Sequence, residues 1–330
     1  MSAGLRVLRE SEIRSLIGPS QALVVVRDGF ARLARGEVTL PGVIGLEIPA
    51  HGGEVHVKGA HIHGSPYFSI KEAAGFYQNA QRGLPVTSGV VLVFDATTGF
   101  LRAILLDNGF LTELRTGAAG ALAADLLARR DAETVGIIGC GGQARYQLEA
   151  LLGVRQLRRV IVYGRSAESA AAYALEMSQR FGLPVAVTAS AQQAVESSDI
   201  VITTTPSREP IVRAAWLRPG VHVTAIGSDG PAKRELESAA LAKADKLVAD
   251  RLDQCLQLGE IHHAVVEGLL DPARVYAELG ELAAGTKRGR ESDSEITIAD
   301  LTGVGVQDAA VADFVTAAAE ASGRGTRLEL

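Results

Sequence analysis

The stretch Val135-Gly136-Ile137-Ile138-Gly139-Cys140-Gly141-Gly142-Gln143-Ala144 decides the fold. An apolar, β-branched run breaks into glycines and passes into a helical pattern, which reads as strand, tight turn and helix start. Gly139 permits the turn, Gly141 lets backbone amides approach a pyrophosphate, and the small Ala144 allows close helix-to-sheet packing. The helix N-terminus adds partial positive charge. A nicotinamide dinucleotide is the first ligand to consider. The same glycine pattern also occurs in other βα turns, so the surrounding sequence has to decide.

Downstream, strand-like runs at 160–163, 185–188, 200–204, 221–226 and 246–249 alternate with Ala-rich segments at 168–182, 191–197 and 235–244. Continuous β-branched strands separated by helices imply a parallel sheet covered on both faces. The expectation is an α/β chain with a Rossmann-type, doubly wound parallel sheet, the glycine turn lying at its first strand, where such sheets bind ligands.

Upstream the texture differs. Segments 54–60, 67–71, 90–95 and 100–106 read as antiparallel strands, the last pair a hairpin joined by Ala96-Thr97-Thr98-Gly99. From Leu114 an Ala-rich helix leads toward the fingerprint strand, and a last amphipathic helix at 306–321, with no strand after it, returns to the first domain. The expected division is 1–116 plus 303–330 as an α+β domain, with 117–302 as the inserted dinucleotide-binding domain.

Composition narrows the classes. The 330 residues are 47% hydrophobic, enough for two cores, and the net charge of −5 lacks the basic excess that nucleic acid would call for. The two cysteines, Cys140 and Cys255, make no disulfide framework, and no apolar run reaches membrane-spanning length. The N-terminus lacks a signal-peptide layout. The expectation is a cytoplasmic protein with no membrane or nucleic-acid partner. His61 with His63, and His262 with His263, lack further grouped ligands, so no metal is expected.

Three charged residues stand among apolar or small neighbours on segments expected to end near an interdomain cleft. Lys71 ends the apolar strand FSIK, Arg115 opens the Ala-rich helix, and Asp229 follows the fifth sheet strand in VTAIGSDGPAK. Each also has a plainer reading: a solvated or salt-bridged cation for Lys71 and Arg115, a turn or helix cap for Asp229.

Through IKEAAGFYQN, LLDNGFLTELRTGAAGALAA, GCGGQA, GVHVTAIGSDGPAKREL, LGEIHHA and AELGELAAGTKRGRESDSEITIADLTGVGVQD, the chain resembles the ornithine cyclodeaminase/mu-crystallin family. That family includes alanine dehydrogenases and imine reductases. The resemblance implies that 1–116 plus 303–330 form a substrate-binding and dimerisation domain, with homodimers and an enzyme acting on a small α-amino or α-imino acid. It places Lys71 at a substrate-binding lysine with a catalytic part, Arg115 at the arginine that grips the substrate carboxylate, and Asp229 at an acid/base aspartate. Thr116, Gly142, Gln143, Thr205, Val223, Thr224, Ala225 and Lys233 match positions that touch the dinucleotide. A guanidinium fork suits a carboxylate, and a carboxylate beside a cationic imine suits proton exchange.

The strand ending VIVYGRS carries no acid at its tip for ribose hydroxyls; Arg165 and Ser166 suit a 2′-phosphate instead, so NADP(H) is favoured, with NAD(H) the alternative. Family members often carry an earlier carboxylate-binding arginine, yet no arginine lies between Arg35 and Lys71; Lys58 in VHVKGAH is the candidate replacement. Leu301 stands where a cofactor-contacting serine often lies. The segment IKEAAGFYQNAQRGLP is also similar to the cyclodeaminase-like branch of ectoine breakdown. Imine reduction or amino-acid dehydrogenation, for example by a Δ1-pyrroline-2-carboxylate reductase-like enzyme, is the leading expectation. Ornithine cyclodeaminase-type ammonia loss with a recycled cofactor, and an NADPH-dependent binding role like that of mu-crystallin, are the alternatives.

Overall fold

The computed structural model describes residues 4–329. The chain divides into two compact units: one holds the residues through Arg115 and those from Val304 onward, the other is Thr116–Gly303.

In the Thr116–Gly303 unit every pairing of the eight-stranded sheet is parallel. Its spatial order is Val185–Thr188, Arg159–Tyr163, Thr134–Ile138, Ile200–Thr203, His222–Ala225, Thr297–Asp300, Lys246–Ala249 and Ala277–Glu278. The order reverses direction at Thr134–Ile138, the strand that feeds the glycine turn, so this is the switch point at which doubly wound sheets take ligands. The four residues of each of Ile200–Thr203, His222–Ala225 and Thr297–Asp300 are all buried, as expected of strands covered on both faces.

Thr297–Asp300 is a strand the sequence reading did not anticipate. Its four residues lie between the polar run ending at Ser294 and Thr302, too short for a pattern, and it pairs between His222–Ala225 and Lys246–Ala249. The segment read as a helix over 235–244 is corrected too. The helix is only Ser238–Lys243, because Glu235 and Leu236 are extended and Leu236 bridges Val212.

The helix Phe110–Leu127 begins earlier than expected, so Arg115 lies in its second turn rather than opening it. Small residues on this helix let the Gly142–Leu152 helix come close. A Cβ at Gly117 would sit 2.8 Å from the Tyr146 carbonyl oxygen, and one at Gly120 would collide with the Gln147 side chain, which instead donates to the Thr116 carbonyl at 2.9 Å.

The other unit is built on a mixed sheet. Thr326–Leu328, Leu5–Arg9, Leu101–Leu106, Thr87–Asp95, Tyr67–Phe76 and Gly53–Ile62 follow one another, and Val38–Thr39 and Ile44–Ile48 both pair with Gly53–Ile62. Two expectations fail here. A strand does follow the last helix, at Thr326–Leu328, pairing with Leu5–Arg9. Lys71 does not end its strand, which runs Tyr67–Phe76: the polar residues after Lys71 are ladder members paired on both sides. The Gly305–Ser322 helix packs on the strands Gly53–Ile62 and Tyr67–Phe76. It is buried on almost every side through its first half, which its Ala and Val content allows and an amphipathic reading does not.

Candidate functional site

The glycine turn has the geometry its sequence calls for. Gly139 has φ +110°, and a Cβ there would lie 2.7 Å from the Thr204 hydroxyl, so only glycine fits. Gly141 is the N-cap of the Gly142–Leu152 helix; no side chain caps its first amides, and a Cβ added there would meet nothing within 4 Å. Arg145 holds the turn by donating to the carbonyls of Cys140 (3.0 Å) and Gly141 (2.9 Å) while pairing with Glu176. Open space in front of uncapped amides fits a pyrophosphate. Ala144 is fully buried, as close packing requires. Gln143 accepts from Gln147 at 3.1 Å.

Beyond the Arg159–Tyr163 strand, Arg165 and Ser166 are both exposed, and the Ser166 hydroxyl accepts from the Ser169 amide as the N-cap of Ala167–Phe181. Of the residues matched to the dinucleotide on His222–Ala225, Val223 and Thr224 are interior ladder residues with buried side chains, Thr224 bonding His222 at 2.9 Å. Ala225 is at the strand's end.

The loop after that strand is tightly specified. Asp229 keeps about a third of its side chain exposed and pairs with the Lys233 ammonium at 2.7 Å. The Lys233 amide donates to the Gly230 carbonyl at 3.0 Å, and the Ser228 hydroxyl donates to the Lys233 carbonyl. Glu235, which the sequence reading passed over, staples this loop to the neighbouring one. Its fully buried carboxylate accepts from the Thr203 hydroxyl (2.7 Å), the Thr205 amide (2.5 Å) and the Gly227 amide (2.8 Å). Thr205 is thereby held by its backbone.

In the other unit, Lys71 and Arg115 are not the solvated cations of the plainer reading. Lys58, Lys71, Arg115 and Asp308 are each 5% exposed or less. Lys58 and Lys71 are direct partners across antiparallel strands and so share a face. Asp308, in the first turn of the Gly305–Ser322 helix, accepts from the Arg115 Nε at 2.9 Å and lies 3.7 Å from the Lys71 ammonium. Burial alone would push its carboxyl up. The charges of Arg115, Lys71 and Lys58 outweigh that and hold it below the usual carboxylate range. Gln307 accepts from an Arg115 terminal nitrogen at 2.7 Å. Asp308 and Gln307 were missed, although a lone carboxylate in the apolar run VGVQDAAVA was a visible signal.

Three buried acids in the nucleotide unit set a pH dependence. Burial pushes Asp300 up to about 8 and Glu235 up to about 7, and raises Glu260 well above its ordinary value. Their ordinary values are 3.8, 4.5 and 4.5, so the folded state binds these protons more tightly than the unfolded chain. Their stabilising contribution is full below about pH 4 and is lost as pH rises through about 7 to 8. The melting temperature of wild type is expected to fall between about pH 6 and pH 9 in calorimetric scans, and Asp300→Asn to flatten that fall. A wild-type melting temperature that rises over the interval contradicts this.

His262 and His263 take structural partners, bonding the carbonyls of Leu256 (3.0 Å) and Lys233 (2.8 Å). Among the described residues no group of three or more His, Cys, Asp or Glu is placed to hold a metal ion, and no helix is long and apolar enough to cross a membrane.

Known proteins resemble this chain over nearly their full length. An uncharacterized cyclodeaminase of Sinorhizobium fredii is 43% identical over 327 residues, 98% of this chain and 99% of its own. The structure of Thermococcus litoralis Δ1-pyrroline-2-carboxylate reductase in complex with NADH and L-proline matches with a TM-score of 0.93 at 34% identity, covering 97% of this chain and 99% of that one. An archaeal alanine dehydrogenase dimer with bound NAD matches with a TM-score of 0.92 at 38% identity over 99% of both chains. The profile of the ornithine cyclodeaminase/mu-crystallin family matches residues 5–323. The chain belongs to the ornithine cyclodeaminase/mu-crystallin family.

Proposed function

We propose that this protein is an NAD(P)-dependent enzyme that reduces the C=N bond of a small α-imino acid, or oxidises the matching α-amino acid. The observation that carries the reading is the buried cluster of Lys58, Lys71 and Arg115 with Asp308, a group of cations kept out of water. Buried cations call for anions beside them, and the carboxylate of an amino acid suits such a cluster. The T. litoralis reductase that holds L-proline and NADH supports the same chemistry.

Arg115 offers its remaining N–H groups as a fork to the substrate carboxylate. Lys71 supports the second oxygen and holds positive charge near the reacting carbon, with Lys58 in the role of the absent arginine. Asp229 exchanges the proton on the substrate nitrogen and stabilises the cationic imine. Gly139, Gly141, Gly142, Gln143, Thr116, Thr205, Ala225 and Lys233 hold the dinucleotide, which when bound supplies or accepts the hydride.

A redox-neutral cyclodeamination is the second reading, favoured by the 43% identity to the S. fredii cyclodeaminase. We further propose a homodimer. The related alanine dehydrogenase is a dimer, and the sheet of the substrate unit exposes Ile44 and Leu46 on its outer strand. A monomeric mass in light scattering would contradict it.

The test follows reduced-nicotinamide absorbance with Δ1-pyrroline-2-carboxylate, Δ1-piperideine-2-carboxylate, or pyruvate with ammonia, each with NADPH and with NADH. Turnover of a cyclic imino acid is expected, with NADPH preferred through Arg165 and Ser166. Arg165→Glu should raise the KM for NADPH roughly ten- to a hundredfold and leave NADH nearly unchanged, the scale of one hydrogen bond to a charged group. Ammonia released from ornithine with catalytic NAD+, and no imine reduction, selects the second reading. Dinucleotide binding with no turnover of any of these rejects both.

A further inference from the structure

We propose that Gln307 is a substrate-binding residue whose side-chain amide donates a hydrogen bond to the carboxylate gripped by Arg115; the proposal rests on the reading that this site takes a carboxylate. The side chain's orientation is set by chemistry. A guanidinium only donates, so Gln307 must present Oε1 to Arg115, at 2.7 Å, and its Nε2 then points elsewhere. That Nε2 is shut from solvent on a side chain 1% exposed and has no acceptor among the described residues. A buried amide donor without an acceptor is rare in a folded protein and calls for a specific cause.

The surroundings make that donor part of a built site. Arg115 spends two of its five N–H groups, on Asp308 and Gln307, which leaves three for a ligand. Gln307 sits on a rigid base: a Cβ at Gly305 would collide with the Gly59 carbonyl, so the helix start lies backbone to backbone on the strand that carries Lys58. The first turn of this helix therefore holds its side chains at a fixed height over Lys58 and Lys71, which face Asp308 from the sheet. A carboxylate accepts about four hydrogen bonds, so it takes the Arg115 fork and still has room for the Gln307 amide. Gln307 thus does two things at once: its oxygen orients Arg115, and its nitrogen completes the anion site.

The two roles separate in Gln307→Glu and Gln307→Met. Glutamate keeps an oxygen for Arg115 and loses the donor; methionine loses both and adds no charge. The probe is pyrrole-2-carboxylate, titrated calorimetrically into the full-length protein saturated with NADH. The proposal expects both variants to bind it at least about tenfold more weakly, the range of one hydrogen bond to a charged group, with NADH affinity within about twofold of wild type. Weak binding by Met with wild-type strength in Glu assigns only orientation to Gln307 and overturns the proposal. Weak binding by Glu alone shows a charge effect and also overturns it, as do two variants within twofold of wild type. If Met fails to fold, a Glu variant at wild-type strength overturns the proposal and a weakened one is repeated with the neutral isostere Gln307→Leu, scored as for Met. Should wild type itself bind neither pyrrole-2-carboxylate nor L-proline, the carboxylate reading fails, and this inference with it.

Discussion

Replacing Asp229 by Asn lowers kcat for imine reduction by about 10²- to 10⁴-fold while dinucleotide affinity stays within a few-fold of wild type. The asymmetry comes from the loop. Its shape depends on the Ser228 hydroxyl, the Lys233 amide and the Glu235 carboxylate, none of which the substitution removes. Asparagine can still accept from the Lys233 ammonium through its carbonyl, so the turn persists. What disappears is the charge that stabilises a protonated imine and the site that exchanges its proton. Asp229 retains about a third of its side-chain exposure, so this carboxylate is open to a ligand as a wholly buried one is not. Stopped-flow and steady-state rates with NADPH and a cyclic imino acid, beside fluorescence titration of the dinucleotide, check the prediction. A rate within about threefold of wild type would remove Asp229 from the chemistry.

The second large effect is on stability. Asp308→Asn keeps an oxygen for the Arg115 Nε, yet it removes the buried negative charge that pairs with Arg115 at 2.9 Å and lies 3.7 Å from the Lys71 ammonium. Breaking a buried ion pair from one side costs about 3–5 kcal/mol. For a unit of this size that corresponds to a fall in melting temperature on the order of 10 °C. Calorimetry of the variant is expected to show this fall, with part of the loss recovered by a saturating carboxylate ligand that supplies the missing negative charge. An unchanged melting temperature would mean that the three cations are neutralised by something other than Asp308.

How legible was this in the sequence? The glycine turn was, because Gly139 at positive φ and the open face of Gly141 are local demands that only a few residues meet. The parallel strands were as well, since burial on both faces writes continuous apolar runs such as Ile200–Thr203. Lys71, Arg115 and Asp229 stood out as charges among small or apolar neighbours, but their surroundings were beyond reach. The strand through Lys71 seemed to stop at a polar residue because pairing on both sides, a non-local fact, carries it on to Phe76. Thr297–Asp300 is too short for any period. Glu235 looked like a helix residue because nothing local says that Gly227 of its own loop and Thr203 and Thr205 of the neighbouring strand and loop converge on it. Asp308 was hidden by distance: its partner Arg115 lies 193 residues earlier.

That separation has a consequence for a chain still emerging from the ribosome. Lys58, Lys71 and Arg115 are synthesised early, and Asp308 follows Arg115 only 193 residues later. Until then the pairs of Asp308 with Arg115 and Lys71 cannot form, and burial of those two cations is disfavoured. The Thr116–Gly303 unit, contiguous in sequence, has no such debt and is complete before Asp308 is translated. Birth order therefore favours a mature Thr116–Gly303 unit first, and withholds the Lys71–Arg115–Asp308 cluster until after that unit has been made.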